Sequence, residues 1–342
     1  MPADDFKILV TGGAGYIGSH TVVELQQQGF PVVIIDNLSN SRAFVIDRIA
    51  EITGVVPEFH KFDLADRSIT AEFFASHPDL KAVIHFAAFK AVGESMEEPL
   101  KYYQNNLGAL LNVLEGMRAA GVENLVFSSS CTVYGQPDYL PVRETSPIKD
   151  AWSTYANTKQ MSEQIIRFTS SAFGFRSIAL RYFNPVGAHE SARIGELPLG
   201  VPNNLTPFVT QTAAGQHECL QVFGDDYPTP DGTAIRDYIH VTDLAKAHVA
   251  SVRRMLENRT RSGFEVFNVG TGNGYSVKEV VQSFERISGK KLPVRIVGRR
   301  PGDIVQVWAD TSLANRELQW KAEKTLDEMM LSAWKWQQSL SD

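Results

Sequence analysis

Cysteine is nearly missing from this chain of 342 residues: only Cys131 and Cys219 occur. They lie far apart, outside any CxxC or Cys/His cluster, which excludes a disulfide scaffold and leaves two reduced thiols as the expectation. No run approaches the roughly eighteen consecutive apolar residues that a membrane-spanning helix needs. The opening residues Met1-Pro2-Ala3-Asp4-Asp5 are acidic where a secretory signal is basic, so the expected location is cytoplasmic. Charge of one sign is also scarce, with 33 basic against 39 acidic residues, a net of −6 and no block of like charge. That balance excludes an extended nucleic-acid or membrane footprint, and any bound anion needs a local pocket. Internal repeats and low-complexity segments are absent, and His85, His240 and His248 stand in no HExxH-type spacing, so no metal site is expected.

Short β-branched runs alternating with longer helical patterns fill the first half of the chain. Strands are expected at 7–10, 32–36, 58–62, 82–86, 124–128 and 177–182, with helices between them. This rhythm predicts an α/β fold built on a doubly wound parallel sheet, although the strand order is not readable from sequence. After Asn184 the pattern is broken by Pro185, Pro198, Pro202, Pro207, Pro228 and Pro230, which predicts a smaller, loop-rich lobe. The expected division is a cofactor domain over 1–184, with returns near 236–270, and a mainly substrate-binding lobe over 185–342. Helical patterns at 242–256 and 276–287 are the candidates for returning to the first domain.

Directly after the first strand, Gly12, Gly15 and Gly18 form a G-x-x-G-x-x-G array that opens a helix. The first glycine permits a tight turn, the second lets backbone approach a pyrophosphate, and the third allows close packing, while the helix N-terminus presents N–H groups to the anion. Tyr16 and Ile17, within this turn, join the expected cofactor contacts. Asp36 closes the second strand, placed to accept hydrogen bonds from a ribose diol and to repel a 2′-phosphate, which favours NAD over NADP. Its alternative role is to start the turn with Asn37, a frequent use of aspartate. Asp63 and Leu64, after the third strand, are weaker candidates, because such an aspartate equally caps the next helix.

Tyr155 and Lys159 stand at i, i+4 in a helical stretch, which puts phenol and ammonium on one face. A tyrosine of pKa about 10 is a poor base until a neighbouring cation favours its phenolate. Upstream, an apolar strand runs into Ser128-Ser129-Ser130-Cys131-Thr132, at the carboxyl end where open α/β sheets bind ligands. Ser130 and Thr132 are thereby candidates to hydrogen-bond a reacting hydroxyl, and Tyr155 to take its proton.

This combination resembles the extended short-chain dehydrogenase/reductases, with their serine or threonine, tyrosine and lysine triad on a Rossmann sheet. More narrowly, the segments around His85-Phe86-Ala87 and Lys90, and around Asn105, resemble the nucleotide-sugar epimerases of that family. The resemblance implies NAD contacts from Phe86, Ala87, Lys90, Asn105, Ser128, Tyr155, Lys159 and Tyr182. It also implies that Ser130, Thr132, Tyr155, Asn184, Asn203, Asn204, Leu205, Phe223, Arg236, Arg300, Asp303 and Val307 hold a UDP-sugar. The implied reaction is epimerisation at C4 of a UDP-hexose, UDP-galactose to UDP-glucose, through a transient 4-keto sugar. Val307 stands where tyrosine restricts family members to plain hexoses, which extends the expectation to UDP-N-acetylhexosamines; an ordinary core role for Val307 is as good a reading. Nucleotide-sugar 4,6-dehydratases and UDP-glucuronate decarboxylases share fold, cofactor and triad, but such dehydratases carry an Asp-Glu pair where this chain has Cys131-Thr132-Val133. A non-catalytic NAD-binding regulator has no need of the complete triad. Pairing through helices at 98–120 and 151–173 is the family's usual route to a homodimer.

Overall fold

The computed structural model describes residues 6–202, 204–300 and 303–340. In chain order its first part runs β1 (Lys7–Thr11), α1 (Tyr16–Gln27), β2 (Val32–Ile35), α2 (Phe44–Thr53), β3 (Glu58–His60), α3 (Arg67–Ser76), β4 (Leu80–His85), α4 (Val92–Glu97), α5 (Pro99–Ala120), β5 (Asn124–Ser130), α6 (Thr154–Phe173) and β6 (Arg176–Tyr182). The six strands and Phe264–Val269 form one parallel sheet in the order Phe264–Val269, β6, β5, β4, β1, β2, β3. Its chain crosses over after β3, which creates the switch point where such sheets bind ligands.

Alternate residues of each strand serve two separate cores. Ile8, Val10, Ile34, Ile84, Val126 and Ile178 face one layer with α1, α2 and the Val241–Leu256 helix. Leu9, Val33, Ile35, Val83, Leu125, Phe127 and Ala179 face the other, with α3, α5 and α6. Covering both faces is why these strands read as unbroken apolar runs. Each fully buried aliphatic side chain contributes about 1.5–3 kcal/mol of transfer free energy.

Two strands, β5 and β3, end two residues away from expectation, while the others end within one residue of it. β5 continues through Ser130 because Ser128, Ser129 and Ser130 keep pairing with Leu180, Arg181 and Tyr182 of β6. The apolar run stops earlier only because the serine hydroxyls find polar partners. β3 is shorter, ending at His60 with Ile35 opposite.

In the smaller lobe, Leu220–Phe223 pairs in parallel with Val294–Val297, and Ile235–Arg236 lies between Tyr275–Ser276 and Gln306–Val307. The helices Leu205–Ala213, Val277–Ser288 and Leu326–Ser339 share one core around Val209, Phe284, Met330 and Trp334. The Val241–Leu256 helix packs instead on α1, and Phe264–Val269 joins the large sheet beside β6. The chain thus leaves the large layer and comes back to it.

Candidate active site

The glycine turn is built so that side chains cannot fit. Gly12 has φ of +69°, and a Cβ there would lie 2.9 Å from the Ala87 nitrogen. A Cβ on Gly18 would lie 2.2 Å from the Gly12 carbonyl oxygen, so the third glycine makes room for the turn itself rather than for a strand. Gly15 is the N-cap of α1, with neither a side-chain cap nor an acidic residue in the first turn. The first N–H groups of α1, at the positive end of its dipole, are therefore directed at whatever anion sits on the turn. Asp36 is buried and starts the turn, as the second of the two roles expects: Oδ1 accepts from Leu38 N at 2.8 Å and Ser41 Oγ at 2.9 Å, while Oδ2 accepts from Ala14 N at 3.1 Å. Asn37 Nδ2 donates to Asp63 Oδ2 at 3.0 Å, and Asp63 Oδ1 accepts from Ala65 N at 2.8 Å. The α3 cap is Asp66, not Asp63, and Leu64 is a core residue. Tyr16 donates to the Gly187 carbonyl at 2.6 Å, which ties the start of α1 to the exit of the Asn184–Val186 strand; Ile17 packs on the α1-side core.

Beside the turn, the Phe86 nitrogen donates to Thr11 O at 3.1 Å and the Ala87 nitrogen to Thr11 Oγ1 at 3.4 Å. Lys90 is exposed, with Nζ 3.3 Å from Glu196 Oε1, which also accepts from Asn204 Nδ2 at 2.7 Å. Asn105 Nδ2 donates to Asn106 Oδ1 at 2.9 Å. Asn106 is buried and holds both the nitrogen and the carbonyl of Phe89, at 2.8 and 3.1 Å, fixing the loop after β4.

At the end of β5, Ser153 caps α6 by accepting from Ala156 N at 3.1 Å, and the helix then presents Tyr155 and Lys159 together. Lys159 Nζ donates to Ser128 O at 2.6 Å and lies 5.8 Å from the centre of the Tyr155 ring. Burial lowers its pKa to about 8, partly opposed by Glu163, so it remains mainly an ammonium at neutral pH. Burial pushes the Tyr155 phenol up to about 12, against a hydrogen bond with Ser130 that lowers it. Ser130 Oγ also accepts from Thr132 N at 3.2 Å and Thr132 Oγ1 at 3.0 Å. Tyr182 and Ser128 share a short hydroxyl contact, and burial raises the Tyr182 phenol. Behind this row lies a buried pair that the sequence did not single out: Arg181 donates to Glu163 Oε1 and Oε2 at 2.8 and 2.5 Å, and Ser129 Oγ donates to Oε1 at 2.5 Å. It locks α6 to the ends of β5 and β6.

The smaller lobe brings other residues together in pairs. Arg236 bonds Asp303 and its own Ile235 carbonyl, the latter at 2.8 Å, and the Arg300 guanidinium lies 4.6 Å above the Phe223 ring. Asn184 donates its backbone nitrogen to Asp237 O at 3.0 Å, and Leu205 opens its helix right after Asn204. Asn203 lies outside the described residues. Val307, 3% exposed, packs with Val133, Tyr134, Val142, Phe183 and Ala309. Asp237 was another residue passed over: fully buried, it accepts from Thr271 N, Thr271 Oγ1, Gly272 N and Ala309 N, at 2.7–3.1 Å, and so joins three segments. Among the described residues one grouping of metal-ligating side chains occurs, Glu58, His60 and His77, and it includes none of the histidines weighed from the sequence.

A family model described as GDP-mannose 4,6 dehydratase matches residues 9–332. The UDP-glucose 4-epimerase of Bacillus subtilis (strain 168) is 53% identical over 333 residues, 97% of each chain. The UDP-glucose 4-epimerase of Stenotrophomonas maltophila, solved with bound NAD and formylated UDP-arabinopyranose, is 50% identical and superposes with a TM-score of 0.94, covering 98% of this chain and 99% of that one. The chain belongs to the UDP-glucose 4-epimerase family. A third member, from Bifidobacterium longum in complex with NAD+ and UDP, is 46% identical with a TM-score of 0.92, over 97% of this chain and 98% of that one.

Membership in the epimerase family agrees with the chemistry at Cys131-Thr132-Val133, where no carboxylate is available to expel water. Burial pushes the Cys131 thiol up to about 12, which keeps it protonated and a poor substitute for an acid–base pair. An epimerase eliminates nothing and needs one proton carrier at the reacting hydroxyl. Tyr155, beside Ser130, is the candidate for that role.

Proposed function

We propose that the chain interconverts UDP-galactose and UDP-glucose by epimerisation at C4. The carrying observation is the Ser130, Tyr155 and Lys159 cluster at the end of β5, set beside a glycine turn whose helix N-terminus is directed at an anion. The residues fit NAD: Gly12 and Gly18 permit the tight turn onto α1, whose uncapped N-terminus suits a pyrophosphate, and the Asp36 carboxylate repels a 2′-phosphate. When bound, NAD supplies the hydride acceptor and donor for C4.

The rest is the work of this chain's side chains. Ser130 orients the sugar hydroxyl and Tyr155 accepts its proton as C4 is oxidised to a ketone. The Lys159 ammonium on the same helix face would favour the Tyr155 phenolate and so draw its pKa down from the resting value. Tyr155 would return the proton to the oxygen when the ketone is reduced on its other face, which inverts C4. Arg300 and Arg236 read the diphosphate as planar anions, while Asn184, Asn204 and Asp303 hold uridine and sugar hydroxyls. A firm hold on UDP with a loose hold on the hexose lets the 4-keto sugar turn over.

In this reading residues 1–184, with returns near 236–270, are the cofactor domain, and 185–342 mainly the substrate lobe. The enzyme is cytoplasmic, consistent with two free thiols and with no helix of the described residues being long and apolar enough to cross a membrane. It forms a homodimer through α5 and α6, which pack side by side and expose Leu100 and Phe168 at 71% each, with Leu111 and Met161 beside them. The smaller side chain of Val307 also admits UDP-N-acetylhexosamines. Proton NMR of UDP-galactose with purified protein and no added NAD tests the main reading. UDP-glucose resonances are expected, and their absence even after NAD is supplied would remove the assignment.

A further inference from the structure

We propose that Glu58, His60 and His77 form a binding site for a single transition-metal dication of the zinc class, at the outer edge of the large sheet. β3 is the edge strand, and Glu58 and His60, two residues apart on it, point to the same face. His77 follows α3 directly and brings its ring to that face. The three ligand atoms lie within 4.8 Å of one another. Glu58 Oε1 is 2.8 Å from His60 Nε2 and 3.0 Å from His77 Nε2.

The tautomer of His77 points to a cation. Its Nδ1 is 2.7 Å from the Phe73 carbonyl oxygen, which can only accept, so Nδ1 carries the hydrogen. In the neutral ring Nε2 is then a bare lone pair facing a carboxylate oxygen, acceptor against acceptor. A cation between them, whether a proton or a metal ion, resolves the clash, and an N–H donated to a backbone carbonyl from the far nitrogen is how metal-ligating histidines are oriented. The second carboxylate oxygen of Glu58 is held by Lys7 Nζ at 3.0 Å, and Lys7 is itself bonded to Asp79 at 3.0 Å, which leaves Oε1 as the ligand. The charge of Lys7 opposes the incoming cation, and Asp79 offsets it.

Preorganisation comes from the rings. His77 stacks on Phe73 at 4.0 Å between centroids, and His60 meets both Phe73 and His77 edge-on at 5.1 Å. Two imidazoles and one carboxylate are a borderline donor set that suits zinc, cobalt or nickel and not calcium or magnesium. The side chains of Glu58 and His60 are 38% and 34% exposed, so water can complete the coordination. A bound ion would clamp the end of α3 to β3, whose His60 carbonyl accepts from Asp36 N at 3.2 Å. The expectation of no metal site rested on local histidine spacings, and these three ligands span a strand and a helix.

The test uses tag-free, chelator-stripped protein with its cofactor retained, titrated with zinc chloride by calorimetry and with cobalt chloride by visible absorption. One zinc per chain is expected, cobalt should give ligand-field bands, and zinc should raise the melting temperature. His60→Gln, at a half-exposed position that should not impair folding, should weaken zinc binding at least tenfold and abolish the melting shift; His77→Gln should do the same. Wild-type protein without saturable zinc binding, or His60→Gln binding with wild-type affinity, would overturn the proposal.

Discussion

At the carboxyl end of the large sheet, the candidate contacts are backbone and short side chains: the Gly12 to Gly18 turn, the α1 N-terminus, Ser130 and the Asp36 carboxylate. In the smaller lobe the candidate contacts are long charged side chains held in pairs, Arg236 with Asp303 and Arg300 over Phe223. The first region is rigid because each group is fixed by a strand end or a helix start. The second is gathered from distant segments, Arg236 and Asp303 being 67 residues apart, and its side chains already have partners that a ligand must share or displace. The difference suits a catalyst that holds its cofactor throughout and exchanges its substrate every turnover.

The sharpest way to break this division is Tyr155→Phe. Loss of the proton carrier should lower kcat on the order of a thousandfold while the melting temperature stays near that of the parent, and near-normal turnover would remove Tyr155 as the base. Arg300→Ala should act on the other region. A rise in KM for UDP-galactose of roughly ten- to a hundredfold, from loss of a charge-assisted phosphate contact of about 1.5–3 kcal/mol, should come with a much smaller change in kcat. A purely catalytic defect in that variant would erase the distinction. Val307→Tyr is expected to lower turnover of UDP-N-acetylglucosamine relative to UDP-galactose by about tenfold. An unchanged ratio would leave Val307 as core alone.

An effect on acid stability rather than turnover falls on the large-sheet region. Burial lowers the pKa of His20 and His85 to about 3 and of His248 to about 4. Below about 6.5 the unfolded chain binds protons that these folded rings refuse, so their contribution is complete above that pH and is lost as pH falls toward 4 for His248 and toward 3 for His20 and His85. Each contributes a slope of up to about 1.4 kcal/mol per pH unit in that window. Urea unfolding at pH 7 and 5.5 should show the loss, and His248→Gln should make it shallower.

The glycine turn, the turn at Asp36, the shared helix face of Tyr155 and Lys159 and six strands of the sheet were legible because each is written within a few residues, by backbone geometry or by period. Asn106, Asp237 and the Arg181 and Glu163 pair were not. Their importance lies in being buried and fully bonded to segments that are near only after folding. The same holds for Glu58, His60 and His77, whose proximity depends on which strand lies at the sheet edge. Val307 was legible only as a choice between pocket wall and core, and its packing among Val133, Tyr134 and Phe183 explains why both readings arose.

The most direct test of the account follows a label at C4. UDP-galactose carrying deuterium on C4 of the sugar should yield UDP-glucose with deuterium still at C4 in ordinary water, because the hydride that leaves is the one that returns. Replacement of that deuterium by solvent hydrogen would contradict oxidation and return at C4.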